Sequence, residues 1–139
     1  MYVLDTNVVS ELRKVRSGKA DAGVSAWAAG LAGAEAFVSA VTLHELEHGV
    51  LLLERRDPAA GAVLRRWLDT SVTEAFADRV LAVDADVARR AAALHVPDPA
   101  PFRDALIGAT ALVHRMAVVT RNAADFTRFA GLDVVNPWR

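Results

Sequence analysis

The first strand and first helix lie in the stretch Tyr2-Val3-Leu4-Asp5-Thr6-Asn7-Val8-Val9-Ser10-Glu11-Leu12. Its opening apolar run predicts a short buried strand. Asp5 ends that run, and Thr6 or Asn7 is the predicted cap of a helix from Val8 to Val15, because these residue types are preferred at helix N-termini. A strand that passes directly into a helix is typical of α/β folds.

The alternation of strand and helix continues along the chain. Further strands are predicted at Ala36 to Ser39, Val80 to Val83, Ala117 to Thr120 and Val134 to Val135. Helices are predicted from an Asp21 cap to Leu31, over Val41 to Arg55, after the cap and first-turn proline Asp57-Pro58, from an Asp84 cap to His95, and over Phe102 to Arg115. Since each strand is apolar almost throughout, we expect one parallel sheet of five strands with helices on both faces.

Apolar residues at helical spacing predict which helix faces are buried. In the second helix these residues are Val24, Trp27 and Leu31. The long third helix carries the stripe Leu43, Leu46, Val50 and Leu53, and the next helix places Val63, Leu64, Trp67 and Leu68 inside. We expect these side chains to form part of the core.

Length and composition limit the possible functions. The 139 residues fit a single domain. No apolar run approaches the roughly 18 residues of a membrane span, and Asp5 does not suit a secretory signal, so we expect a cytoplasmic protein without a membrane partner. The absence of cysteine excludes thiolate nucleophiles, disulfides and cysteine-ligated zinc. A net charge of −1 gives no overall basic field, so any contact with nucleic acid must be local.

Four acidic residues interrupt otherwise apolar segments: Asp5, Glu45, Asp104 and Asp125. A carboxylate in such surroundings loses hydration, which is costly unless a cation or hydrogen bonds replace the water. If the fold brings the four together, they also repel one another, since two unit charges about 4 Å apart interact by roughly 4 kcal/mol at an effective dielectric of 20. A hard divalent cation is the simplest remedy.

The predicted architecture indicates where these acids should meet. In open parallel sheets, ligands bind beyond the carboxyl ends of the strands, at the point where strand order reverses. Asp5 follows the first strand, Thr120-Arg121-Asn122 follow the fourth, and Glu45 and Asp104 lie in or near the first turns of neighbouring helices. Each acid alone also has an ordinary explanation, such as helix capping for Asp5 and Asp125 or a favourable helix-dipole position for Asp104. Taken together, the four acids favour a cation-binding site at this edge of the sheet.

The segment His44-Glu45-Leu46-Glu47-His48 offers a different function, because it matches the H-E-x-x-H pattern of zinc metalloproteases on a predicted helix. In that pattern two histidines bind zinc and the glutamate acts as general base. The charged Glu47 departs from the uncharged residue usual there, no histidine follows at the longer metzincin spacing, and Glu74 would have to serve as a distant third ligand.

Four segments, in this order, resemble the signature segments of PIN-domain ribonucleases: residues 2–12, 39–49, 104–109 and 119–126. More narrowly, the chain is similar to the VapC toxins of type II toxin–antitoxin pairs. The closing Asn136-Pro137-Trp138, together with the Asp-Thr-Asn start, resembles the FitB-like branch. The resemblance implies one PIN-like domain over residues 1–139.

That resemblance implies a catalytic and metal-binding set formed by Asp5, Glu45, Asp104 and Asp125. Thr6 and Thr120 match polar supporting positions. Asn122 stands where many PIN domains carry an aspartate, so the last acidic role falls to Asn122, to Asp125 or to both. The implied cofactor is Mg²⁺, with Mn²⁺ as a substitute, and the implied reaction is metal-assisted hydrolysis of RNA by water, leaving 5′-phosphate and 3′-hydroxyl ends.

The resemblance also implies partners: an RNA substrate, a second copy in a homodimer, and a VapB-type antitoxin that forms a hetero-oligomer with the toxin and alone contacts operator DNA. Candidate RNA contacts are Arg13, Lys14, Arg103 and Arg121. Candidate partner-facing residues are Trp27, Leu31, Leu51, Leu52 and Leu53. The alternative within this fold is a catalytically silent binding protein.

Overall fold

The computed structural model describes all 139 residues and is built on a five-stranded sheet. Its strands are β1 (Tyr2–Leu4), β2 (Ala36–Ser39), β3 (Val80–Leu81), β4 (Ala117–Val119) and β5 (Val134–Val135). They lie in the order β3-β2-β1-β4-β5, and every neighbouring pair is parallel. The predicted parallel sheet of five strands is confirmed.

Helices connect and cover the strands. They are α1 (Thr6–Leu12), α2 (Ala22–Ala29), α3 (Ala40–Arg56), α4 (Pro58–Arg66), α5 (Thr73–Ala75), α6 (Ala85–Leu94), α7 (Phe102–His114) and α8 (Ala123–Thr127). A wide π-type turn over Trp67–Val72 joins α4 to α5, and a 3-10 turn over Gly33–Glu35 precedes β2. None of the helices combines the length and the apolar character needed to cross a membrane.

Aspartate side chains begin four of these helices. Asp21, Asp57 and Asp84 each accept a hydrogen bond from a backbone N–H in the first turn of the helix, as predicted. The helix predicted after β1 is present as α1, but it begins at Thr6 rather than Val8. Its cap is neither Thr6 nor Asn7 but Asp5, whose Oδ1 accepts from the Thr6 N–H at 2.8 Å, in agreement with the capping role considered for Asp5 alone. The acid that ends β1 therefore also orients the helix that follows it.

The core lies on both faces of the sheet, and the central strand β1 contributes to both. Successive side chains of a strand point to opposite faces. Leu4 packs with a cluster that includes Val8, Leu46 and Val50, on the side of α1 and α3. Val3 packs instead with a cluster that includes Ile107, Val118 and Phe126, on the side of α7 and α8.

Two predicted core residues are in fact exposed. The side chain of Leu43 is 40% exposed and that of Val63 is 59% exposed, so these assignments were wrong. Leu46 and Val50 are buried on the same helix as Leu43. Both helices carry more apolar residues than their contact faces cover, which leaves part of each stripe facing solvent.

Helices α3 and α4 form an antiparallel pair that packs very closely at Gly61. A Cβ atom placed there would lie 2.4 Å from the backbone Cα of Glu54, so only glycine fits without a shift of one helix. Near the same crossing the Arg65 guanidinium donates to Glu47 at 2.8 Å and to Glu54 at 3.2 Å. These contacts with α4 fix the position of α3, the helix that carries Glu45.

Strand order reverses around β1, because the chain passes from β1 to β2 on one side and returns to β4 on the other. The Asp5 backbone N–H donates to the Val119 carbonyl at 2.9 Å, so the carboxyl ends of β1 and β4 lie side by side. A crevice at such a reversal is the usual ligand position in open parallel sheets.

Candidate active site

Asp5 occupies the centre of this crevice and is only 7% exposed. Its carboxylate accepts hydrogen bonds from the Thr6 N–H at 2.8 Å, the Thr120 hydroxyl at 2.8 Å and the Asn7 amide at 3.3 Å. Burial raises the pKa of the Asp5 carboxyl, the bonds from Thr120 and Thr6 oppose that rise, and the charge on Glu45 adds to it. The hydrogen bonds thus help to keep a buried acid ionised.

Thr120 and Asn7 tie together the loops that follow β4 and β1. The fully buried Thr120 hydroxyl donates to Asp5 and accepts from the Asn7 amide at 3.3 Å and the Asn122 N–H at 3.0 Å. Asn7 in turn accepts from the Arg121 N–H at 3.2 Å. From the sequence, Asn7 was interpreted only as a helix cap; its position three residues after the end of β1 was the available sign of a site role.

Glu45 lies in the first turns of α3, the helix that follows β2. Its charge acts on Asp5 across the crevice. Its Oε1 accepts from the Thr6 hydroxyl at 3.0 Å. Its Oε2 pairs with the guanidinium of Arg103 on α7. The Thr6 hydroxyl also lies 3.3 Å from that of the fully buried Thr42, so α1, α3 and α7 are linked through this one carboxylate.

Asp104 lies in the first turn of α7 and is half-buried. Burial raises the pKa of its carboxyl to about 6, with further increases from the charges of Asp5, Asp125 and Glu45 and a decrease from Arg103. All four acids predicted for the site therefore lie near enough to act on one another electrostatically. Like charges that share a site are what a bound cation would neutralise.

Asp125 and Asn122 are both exposed at the mouth of the crevice, on and just before α8. The Asp125 N–H donates to the Asn122 carbonyl at 3.0 Å. The charge of Asp125 acts on Asp104, whereas Asn122 contributes its backbone N–H to Thr120. Asp125 is thus the one of the two whose side chain adds negative charge near Asp104.

The C-terminal residues hold the loop after β4 in place. The Asn136 amide donates to the Arg121 carbonyl at 3.3 Å, and the Trp138 N–H donates to the Asn136 side chain at 3.0 Å. The Arg121 guanidinium lies over the Trp138 ring, 5.5 Å from its centroid. The Asn-Pro-Trp ending thus fixes the direction of an arginine at the edge of the site.

The chemistry of the four side chains fits a hard divalent cation, because carboxylate oxygens are the preferred ligands of Mg²⁺ and Mn²⁺. As they stand, no three acidic or histidine side chains are grouped closely enough to hold a metal ion. Glu45 instead has one oxygen on Thr6 and the other on Arg103. The crowding that raises the pKa of Asp104 is the feature of this site that a cation would relieve.

An open groove of about 490 Å³ begins at Thr6 and Glu45 and runs between α1, α3 and α4. Its lining combines the cations Arg13, Lys14 and Arg56 with the apolar residues Leu46, Leu52, Leu53, Leu64 and Trp67. The Arg13 guanidinium lies 5.9 Å from the centre of the Trp67 ring. A surface that is both cationic and apolar suits an extended anionic or amphipathic partner that reaches the acidic site.

The zinc-protease interpretation does not fit this geometry. His44 and His48 are exposed on α3, with ring centroids 6.3 Å apart. The surface depression beside them is lined by Glu47 and Leu51 and does not include Glu74, the predicted third ligand.

Curated relatives match the chain over nearly its full length. The VapC ribonuclease Y4jK of Sinorhizobium fredii is 36% identical over 146 aligned residues, which cover 99% of this chain and 98% of the relative. Toxin FitB of Neisseria gonorrhoeae is 35% identical over 144 residues, covering 99% of both.

Solved structures agree with these relatives. FitAB bound to an IR36 DNA fragment has a TM-score of 0.88 at 33% identity, covering 100% of this chain and 96% of the solved chain. A toxin–antitoxin complex from Klebsiella pneumoniae has a TM-score of 0.66 at 25% identity, covering 99% and 98%. The family description "PIN domain" matches residues 2–132. With its sheet order and acidic crevice, this chain belongs to the PIN domain family.

Proposed function

We propose that this protein, as one PIN domain over residues 1–139, is the toxin of a VapBC-type toxin–antitoxin system and acts as a metal-dependent endoribonuclease. The observation that carries the proposal is the convergence of Asp5, Glu45, Asp104 and Asp125 on the crevice beyond the carboxyl ends of β1 and β4, where burial and the other three charges raise the pKa of the Asp104 carboxyl. Four interacting carboxylates at the reversal point of a parallel sheet suit a cation and, with it, a phosphodiester.

In this proposal Asp5, Glu45, Asp104 and Asp125 hold Mg²⁺, for which Mn²⁺ can substitute. Such a cation, when bound, lowers the pKa of a coordinated water and offsets the charge that builds on the phosphate oxygens. The protein supplies fixed positions for the carboxylates. Thr120 and the Thr6 N–H orient Asp5, and the Thr6 hydroxyl orients Glu45.

The substrate reaches the acids along the groove between α1, α3 and α4. Arg13 and Lys14 line that groove, and Arg121 lies beside α1 at the edge of the crevice, so these cations are available to the RNA backbone. Water attacks the phosphorus and the 3′ oxygen leaves, which gives 5′-phosphate and 3′-hydroxyl ends without using a ribose hydroxyl as nucleophile.

An antitoxin of the VapB type is the proposed inhibitor, and it is the partner through which the complex contacts operator DNA. The apolar part of the groove is continuous with Glu45, so a chain bound there would cover the acidic site. Of the residues predicted to face partners, Trp27 and Leu31 pack against the core, whereas Leu51 and Leu52 are 53% and 57% exposed. Leu51 and Leu52 are therefore the better candidates for antitoxin or homodimer contacts.

The test is cleavage of a mixed RNA pool by antitoxin-free protein in Mg²⁺, Mn²⁺, Zn²⁺ or EDTA. We expect cleavage in Mg²⁺ or Mn²⁺ alone, and a fall of about a thousandfold or more in Asp5→Asn. Asp98→Asn, the same substitution at an exposed loop position, is the matched control and should cleave normally. Metal-dependent cleavage that survives in Asp5→Asn would reject the site, and folded protein inactive under every metal would favour the silent binding role.

A further inference from the structure

Arg103 brings a positive charge into the acidic site from within the chain. It precedes Asp104 in the first turn of α7, and its guanidinium pairs with Glu45, 58 positions earlier in the sequence. The Arg103 side chain is 66% exposed, whereas that of Glu45 is 18% exposed. A largely solvated cation is therefore held against a mostly buried anion.

The contact gives each oxygen of the Glu45 carboxylate a partner within the chain. One carboxylate oxygen accepts from the Thr6 hydroxyl at 3.0 Å, and the other is taken by Arg103. The same guanidinium acts electrostatically on Asp5 and Asp104, where it partly offsets the repulsion from the other carboxylates. Arg103 thus partly neutralises the cluster of carboxylates.

Other arginines near the crevice are held differently. Arg121 lies over the Trp138 ring and Arg13 over the Trp67 ring, so aromatic contacts fix the direction of both. Arg103 is held through Glu45, and a competitor for that carboxylate would release it. Because Arg103 directly precedes Asp104 on α7, its side chain would remain next to the site after Glu45 released it.

We propose that Arg103 is an exchangeable counterion of the acidic site: it neutralises Glu45 in the metal-free protein and, once a divalent cation takes its place, it binds a phosphate of the RNA. The guanidinium fork matches carboxylate and phosphate oxygens equally well, so one side chain can serve both anions. This inference rests on the proposed function and adds a positioning role that the four carboxylates do not provide.

If Arg103 exchanges in this way, substituting it should strengthen metal binding and weaken RNA binding. Arg103→Gln removes a competitor of the metal, so Mn²⁺ should bind RNA-free protein about fivefold more tightly, the upper range for a partly exposed ion pair. The same change removes a phosphate contact, so KM for RNA at saturating Mn²⁺ should rise about tenfold while kcat changes little. Arg103→Lys should restore part of both values.

The experiment measures free Mn²⁺ by electron paramagnetic resonance during titration of RNA-free protein. Arg89→Gln, which removes the same charge from an exposed position on α6, should leave Mn²⁺ affinity within about twofold of wild type. Thermal unfolding in EDTA verifies that each variant is folded. Mn²⁺ affinity that is unchanged or weaker in Arg103→Gln would overturn the inference, as would an unchanged KM.

Asp104→Asn separates failure of this inference from failure of the proposed function. If Asp104→Asn loses Mn²⁺ binding while Arg103→Gln behaves like wild type, the acidic site stands and the counterion role falls. If Asp104→Asn binds Mn²⁺ as well as wild type, the proposed metal site is wrong and the inference falls with it.

Discussion

Replacing Asp104 with asparagine should stabilise the metal-free protein at neutral pH, although it removes a proposed metal ligand. The folded state raises the pKa of this carboxyl from 3.8 to about 6. At 1.36 kcal/mol per pKa unit, the full shift corresponds to roughly 3 kcal/mol. Because the group is only half-buried and water screens part of the interaction, we expect about 1 to 2 kcal/mol.

The sign of the effect follows from proton binding. Below the unfolded pKa of 3.8 both states hold the proton, and the carboxyl causes no penalty. Between 3.8 and about 6 the folded state keeps a proton that the unfolded state has released, so the free energy of unfolding of wild type falls as pH rises. Above that window the folded protein carries the full cost of the charge. Asp104→Asn removes this cost, so its advantage over wild type should grow across the window and then remain constant.

Urea unfolding in EDTA between about pH 4 and pH 8 measures this difference directly. Asp98→Asn, at an exposed position in the loop before α7, controls for the general loss of one negative charge. A stability difference between Asp104→Asn and wild type that stays constant with pH, or that favours wild type at neutral pH, would refute the assigned electrostatics.

Two further substitutions test packing and the hydrogen bonds beneath the site. Thr120→Val removes the hydroxyl that donates to Asp5 and should destabilise the fold by about 1 to 2 kcal/mol in chemical denaturation; an unchanged unfolding midpoint would contradict the contact. Gly61→Ala should cost about 1 to 3 kcal/mol, because the added methyl meets the backbone of Glu54 at 2.4 Å, whereas Gly49→Ala, with open space around it, should stabilise α3 by up to about 1 kcal/mol. Equal effects of the two glycine changes would show that the close approach of α3 and α4 does not restrict the size of the residue at position 61.

Local signals in the sequence were sufficient for the strands and for most helix starts. Asp21, Asp57 and Asp84 could be identified as caps because capping involves only the residues that follow within one turn. The parallel sheet followed from apolar strands that alternate with helices. The exposed Val63 could not be identified in this way, since an apolar stripe does not show how wide a face its neighbours cover.

The four acids and the sheet edge at which they meet were predicted from the sequence, but the side-chain contacts that hold them there were not. Arg103 and Glu45 are 58 positions apart, and no local pattern connects them. The role of Asn7, which joins Asp5 to Thr120 and to the loop after β4, likewise depends on β1 and β4 lying side by side. Such links appear only once the sheet order is known.

The sheet order also constrains when activity can arise during synthesis. The central strand β1 is made long before its partner β4, which begins at Ala117. A nascent or truncated chain that stops before Ala117 contains Asp5, Glu45 and Asp104 yet lacks the strand and the Thr120 hydroxyl that hold Asp5 in place. We therefore expect products that terminate before Ala117 to be inactive, since they cannot assemble the crevice around Asp5.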